Sequence, residues 1–120
     1  MQQQFNKEEV KRAVLDYISE NKQVSYKELE WFFNDKQIPF KGEFDILSEK
    51  CDHIVFWTGW NEEIHEVLGE LIDEEYIHRV STAIFTYITD GGVLKMPLVK
   101  QNRDYKTDHW LPTVFCIGPE

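Results

Sequence analysis

The sequence predicts an α+β domain spanning residues 1–120, with N-terminal helices packed on a small antiparallel β-sheet and a C-terminal hairpin. Three observations predict it. Apolar residues recur at helical spacing in three stretches, all of them before residue 76. Beyond that point β-branched and aromatic runs take over. Asp90, Gly91 and Gly92, which tolerate positive φ, separate the runs TAIFTYIT and VLKM as a hairpin turn would. A chain of 120 residues can bury a core without disulfide or metal staples.

The first helix is expected over residues 6–21, with Val10, Val14, Tyr17 and Ile18 on one face, Asn6 as its cap and Glu8 and Glu9 in its first turn. A second, shorter helix is expected over residues 26–34. Ser25 and Glu28 stand at capping-box spacing, and Leu29, Phe32 and Phe33 mark its buried stripe. Trp31 falls off that stripe and is expected to pack under the following segment, since burying an indole removes a large apolar area from water; the alternative is an exposed Trp31 that marks a contact surface.

Between residues 35 and 56 the pattern is weak. Pro39 and Gly42 punctuate it, GEFDILSEK reads as two helical turns, and HIVFW reads as a buried strand over residues 53–57. The third helix, residues 61–75, is the best specified. Ile64, Val67, Leu68, Leu71 and Ile72 form its stripe, Asn61 caps it, and Glu62 and Glu63 complement its dipole. Leu68 and Leu71 are expected in the core. The water-facing positions are Glu62, Glu63, Glu66, Glu70, Asp73, Glu74 and Glu75, and no Lys or Arg stands between residues 60 and 78. Strands are then expected on both sides of the Asp-Gly-Gly turn, with Pro97 closing the second. A polar loop KQNRDYKTD follows, and HWLPTVFCIG supplies a last strand broken by Pro112.

The order helix, short Val24-Ser25 step, helix, and then a helix running into strands resembles the winged helix-turn-helix superfamily. VSYKELEWFF is similar to the second helix of that fold. VLGELIDEEYIHRV resembles the end of its third helix and the strand leading to the wing, with Leu68, Leu71, Tyr76 and Ile77 at core positions. The resemblance covers about half of the chain. It departs where the superfamily has a short turn between helices two and three. Here residues 35–60 intervene, either as an insertion or with GEFDILSEK as the true third helix.

The resemblance implies DNA reading by the third helix, where cationic and amide side chains meet phosphates and base edges. Seven carboxylates on that helix and a formal net charge of −9 oppose it. The leading expectation is therefore a non-catalytic interaction module, a small regulatory or accessory protein. Its acidic helix, through Glu62, Glu63, Glu66, Glu70 and Asp73, would meet a protein partner with a basic surface or a second copy of the chain. The alternative is a DNA-binding regulator that contacts phosphates through the wing region, where Lys95, Lys100, Arg103 and Lys106 lie close to Tyr105 and Trp110.

A small enzyme is the third reading, although no nucleophile motif or phosphate-cradling loop is present. Cys51 and His53 form C-x-H without a second ligand pair, so neither metal nor cofactor is expected. His65, on the outer half of the acidic helix, reads as a surface residue. No apolar run is long enough to span a bilayer and the N-terminal stretch lacks a leader's apolar segment, so a cytoplasmic protein with reduced Cys51 and Cys116 and no membrane contact is expected.

Overall fold

The structure, a computed structural model, describes residues 6–101 and 103–120. Residues 1–5, read above as part of the stretch without a leader, and Asn102 of the polar loop lie outside the described residues. The three sequence-legible helices form where local signals put them. Helix α1 spans Lys7–Asn21, α2 Tyr26–Asp35 and α3 Glu62–Asp73. Each cap is the expected one: Asn6 accepts from Glu9 N at 3.1 Å, Ser25 from Glu28 N at 3.0 Å and Asn61 from Ile64 N at 2.9 Å. Ile64, Val67, Leu68 and Leu71 are buried, as the stripe requires.

The strands form two small sheets rather than the single one expected. In the first, β1 (Val24–Ser25), β6 (Thr113–Ile117) and β4 (Ile77–Ser81) lie in the order β1-β6-β4, all antiparallel. The second places β3 (Ile54–Trp60) between β2 (Lys41–Leu47), antiparallel and bulged, and β5 (His109–Trp110), parallel. Pro112 separates β5 from β6, as its missing N–H would suggest.

Several further expectations are overturned. GEFDILSEK is not helical: it carries β2, whose Ile46 alone points inward, so residues 35–60 hold a β-hairpin rather than a third helix. The hairpin expected across Asp90-Gly91-Gly92 is also absent, because TAIFTYIT contains helix α4 (Ile84–Asp90) and VLKM forms no strand. The cause is Tyr87, fully buried, whose hydroxyl accepts from Tyr26 N at 3.1 Å and donates to Thr113 O at 2.6 Å. Gly91, at φ 95°, then ends the helix as a left-handed cap, the same conformational freedom that a hairpin turn would have used. Third, Tyr76 is half exposed rather than in the core, and Trp31 is 62% exposed instead of packed beneath a neighbouring segment.

The core is mostly aromatic. Trp60, Trp110, Tyr26, Tyr87, Phe33 and Phe115 are its largest fully buried side chains. One carboxylate organises them: Glu30 Oε2 on α2 accepts from Trp57 Nε1 at 2.8 Å and Trp60 Nε1 at 2.9 Å, while Oε1 lies 3.2 Å from Lys27 Nζ. Both indole N–H donors are thereby satisfied inside the core. The hairpin is held at its other side by Gly42. A Cβ there would lie 2.6 Å from Asn61 Cα, so only glycine lets β2 run against the start of α3.

Replacing Glu30 with Ala should strand two buried donors and cost about 2–4 kcal/mol, whereas Glu30→Gln, which keeps an acceptor, should cost less. Leu68→Ala or Leu71→Ala should cost about 2–5 kcal/mol. Urea titrations followed by tryptophan fluorescence measure both. A loss below about 0.5 kcal/mol for either leucine would contradict its burial.

Candidate functional site

The acidic face of α3 is only partly open. Helix α1 lies against it and supplies two lysines. Lys7 Nζ pairs with Glu70 and sits 3.5 Å from Glu66 Oε2, while Lys11 Nζ reaches Glu70 Oε1 at 3.2 Å and Glu74 Oε1 at 2.7 Å. The hydrogen bonds from Lys7 and then Lys11 hold Glu70 below the usual carboxylate range, and hydrogen bonds to Glu70 and Glu74 raise Lys7 and Lys11 respectively. Glu66, Glu70 and Glu74 form a single i, i+4 stripe, and α1 sets its two lysines against it, although Glu66 and Glu74 stay exposed. Lys7 and Lys11 show the matching four-residue spacing in the sequence, but nothing local says which helix they face. Glu62, Glu63, Asp73 and Glu75 remain exposed, with no ion pair among the described residues.

On its other side α3 meets the hairpin. Phe44 of β2 stacks on His65 with ring centroids 4.4 Å apart. His65 is thus half-buried rather than a surface residue, and burial, with Arg79 nearby, lowers its pKa from 6.5.

The cationic segment keeps its charges but loses its aromatics. Lys95, Lys100, Arg103 and Lys106 are exposed on the long connection between β4 and β6. Tyr105 is buried there, and its hydroxyl accepts from Lys100 N and Gln101 N, each at 3.0 Å, which lowers its pKa. Arg103 lies over the Tyr105 ring at 4.9 Å. Trp110, expected beside these cations, is fully buried in the core and donates to Phe56 O at 3.2 Å. Neither ring is open for a base to stack on. The remaining histidines have local partners: His53 with Asp108 at 2.9 Å, His78 with Gly118 O at 2.9 Å and His109 with Thr107 O at 2.7 Å. No group of three or more His, Cys, Asp or Glu side chains able to hold a metal ion occurs among the described residues.

Two further features have no local signature beyond the off-stripe position of Trp31. One is a set of exposed apolar side chains, Trp31 on α2 with Phe85 and Ile88 on α4, exposed by 62%, 72% and 57%. The Trp31 ring borders Gly91 at the end of α4, and Phe85 and Ile88 lie three residues apart on that helix. The other is a groove of about 560 Å³ between the two sheets, walled by Ile54, Phe56, Ile72 and Leu111 and floored by residues of β4 and β6, among them Arg79 and Thr113. Both depend on pairings remote in sequence. Comparison of the chain with family models, with curated proteins and with solved structures finds no match.

The titrations follow from these contacts. A His65 that resists protonation when folded contributes stability that is complete above pH 6.5 and lost as pH falls below it. Glu70, held low, contributes above the ordinary carboxylate range and loses its contribution on further acidification through its own lowered pKa. Urea midpoints measured from pH 7.5 down to about 5 should therefore fall. In His65→Gln the decline should be shallower, and a slope equal to wild type would remove His65 as its source.

Proposed function

We propose that this chain is a non-catalytic, winged-helix-like interaction module, a small regulatory or accessory protein that docks a protein partner with a basic surface. Support for the winged-helix part comes from the strand order β1-β6-β4. The strand between the first two helices joins the edge of the antiparallel pair that follows the third, and the β2–β3 hairpin accounts for residues 35–60 as an insertion. The observation that carries the docking part is the state of α3. Its central stripe is neutralised by α1 and one flank is covered by β2, yet Glu62, Glu63 and Asp73 stay exposed and unpaired among the described residues. A helix so hemmed and so charged is repelled by a DNA groove and attracts a cationic surface. The exposed Trp31, Phe85 and Ile88, on helices α2 and α4, favour a protein partner as well, because large exposed apolar side chains grouped in one region mark an interface.

Glu66 and Glu70 serve the α1–α3 contact, so the informative variant changes Glu62, Glu63 and Asp73 together to Gln, Gln and Asn. In a pull-down from the native host, basic partners retained by the wild type should be lost by this variant while its melting temperature holds. Identical partner sets would remove the acidic helix from the proposal. Sedimentation of both proteins tests self-association in the same way.

A DNA-binding regulator is the second reading, favoured by the exposure of Lys95, Lys100, Arg103 and Lys106 at the wing position. It predicts duplex binding that weakens steeply with salt and disappears when Lys100, Arg103 and Lys106 become Gln. Gel shifts at two ionic strengths check this, and no shift at low salt would retire it.

A further inference from the structure

We propose that the groove between the two sheets binds a small monocarboxylate with an apolar body, its carboxylate held by Arg79 and Thr113. This site touches the docking surface only at Asp73, which stands at its mouth, and does not depend on it.

The floor of the groove contains two polar groups without complete partners. Arg79 is half-buried, with its guanidinium carbon 4.5 Å from the centre of the Phe56 ring and 5.8 Å from that of Phe115. Its Nε donates to Tyr26 Oη at 2.7 Å. Among the described residues no carboxylate pairs with it. A cation withdrawn this far from water ordinarily has a counter-charge. Thr113 is only 3% exposed, and its hydroxyl is the one buried side-chain oxygen or nitrogen without a hydrogen-bond partner among the described residues.

Strand register places the two together. Arg79 pairs with Phe115 and Ser81 with Thr113, so Arg79 and Thr113 are diagonal neighbours on one face of the sheet. Such neighbours stand about 7 Å apart, a separation that one oxyanion bridges with a hydrogen bond at each end. The Tyr26 hydroxyl and the Phe56 ring fix the plane of the guanidinium, leaving its outer nitrogens for a planar acceptor. Because the Thr113 oxygen is closed to solvent, the ligand reaches it only with a rotamer-scale movement of the side chains around it.

The rest of the groove selects among oxyanions. Its mouth carries Glu49, Asp73, Asp104 and Glu120 against Lys50 and Arg103, an acidic excess that disfavours a phosphate dianion more than a single negative charge. Its walls, Ile54, Phe56, Ile72 and Leu111, suit an aliphatic or aromatic body, and about 560 Å³ is room for a small ligand.

Amide NMR titrations of the full chain with benzoate, phenyl phosphate and benzyl alcohol test the assignment. Benzoate should give saturable shifts on β4 and β6, with phenyl phosphate weaker and benzyl alcohol at least tenfold weaker. Thr113→Val keeps the shape of the side chain and removes the unpartnered hydroxyl. It should melt no lower than wild type and bind benzoate about tenfold less tightly, the order expected for one hydrogen bond to a charged group. The absence of saturable benzoate shifts would overturn the site, and so would wild-type affinity in a folded Thr113→Val. Tighter binding of phenyl phosphate than of benzoate would overturn the choice of a carboxylate.

Discussion

The arrangement of this protein depends on the Glu30 carboxylate and the two indoles that donate to it. A carboxylate with so little exposure is tolerated only if donors surround it, and Trp57, Trp60 and Lys27 are those donors. The consequence is positional. Trp57 and Trp60 belong to β3, so their bonds fix the inserted hairpin to α2. With β3 held, β2 runs past the start of α3 at Gly42, and Phe44 comes to rest on His65. Trp57 also packs beside Tyr87 and Trp110, so the same anchor reaches α4 and β5. Take away the acceptor and β3 loses the two hydrogen bonds that tie it to α2.

The charge pattern of α3 carries a second lesson. Seven acids on one helix suggest a strong directed field, but three of them face lysines from α1. These exposed pairs contribute little stability each. Their larger effect is to confine the bare negative charge to the first turn and the end of the helix, at Glu62, Glu63, Asp73 and Glu75.

The three long helices were legible because their signals are local: caps at Asn6, Ser25 and Asn61, and apolar stripes within a few turns. Sheet membership was not, since the pairing of Val24 with Phe115 or of Ile54 with His109 leaves no local mark. Residues 84–90 form a helix against their local pattern for a related reason. Their β-branched and aromatic content favours a strand, and the hydrogen bonds that decide for a helix run from Tyr26 N to the Tyr87 hydroxyl and from that hydroxyl to Thr113 O. The acidic residues of the candidate site were identifiable by composition, though not the lysines opposite them. Nothing in the sequence joined Arg79 to Thr113, because only register places them on one face.

The order β1-β6-β4 has a kinetic consequence. Its central strand is β6, the last of the described elements, while the two edges are laid down much earlier. Until residues 113–117 have left the ribosome, β1 and β4 have no partner, and the hydroxyl of Tyr87 has no Thr113 carbonyl to bond. The helices and the β2–β3 hairpin can form from neighbouring residues during synthesis, but the first sheet must close over the span from Val24 to Ile117. Such long-range closure is the slow kind. A nascent chain that stalls short of β6 therefore carries two unpaired strand edges, open to any other chain that offers a third.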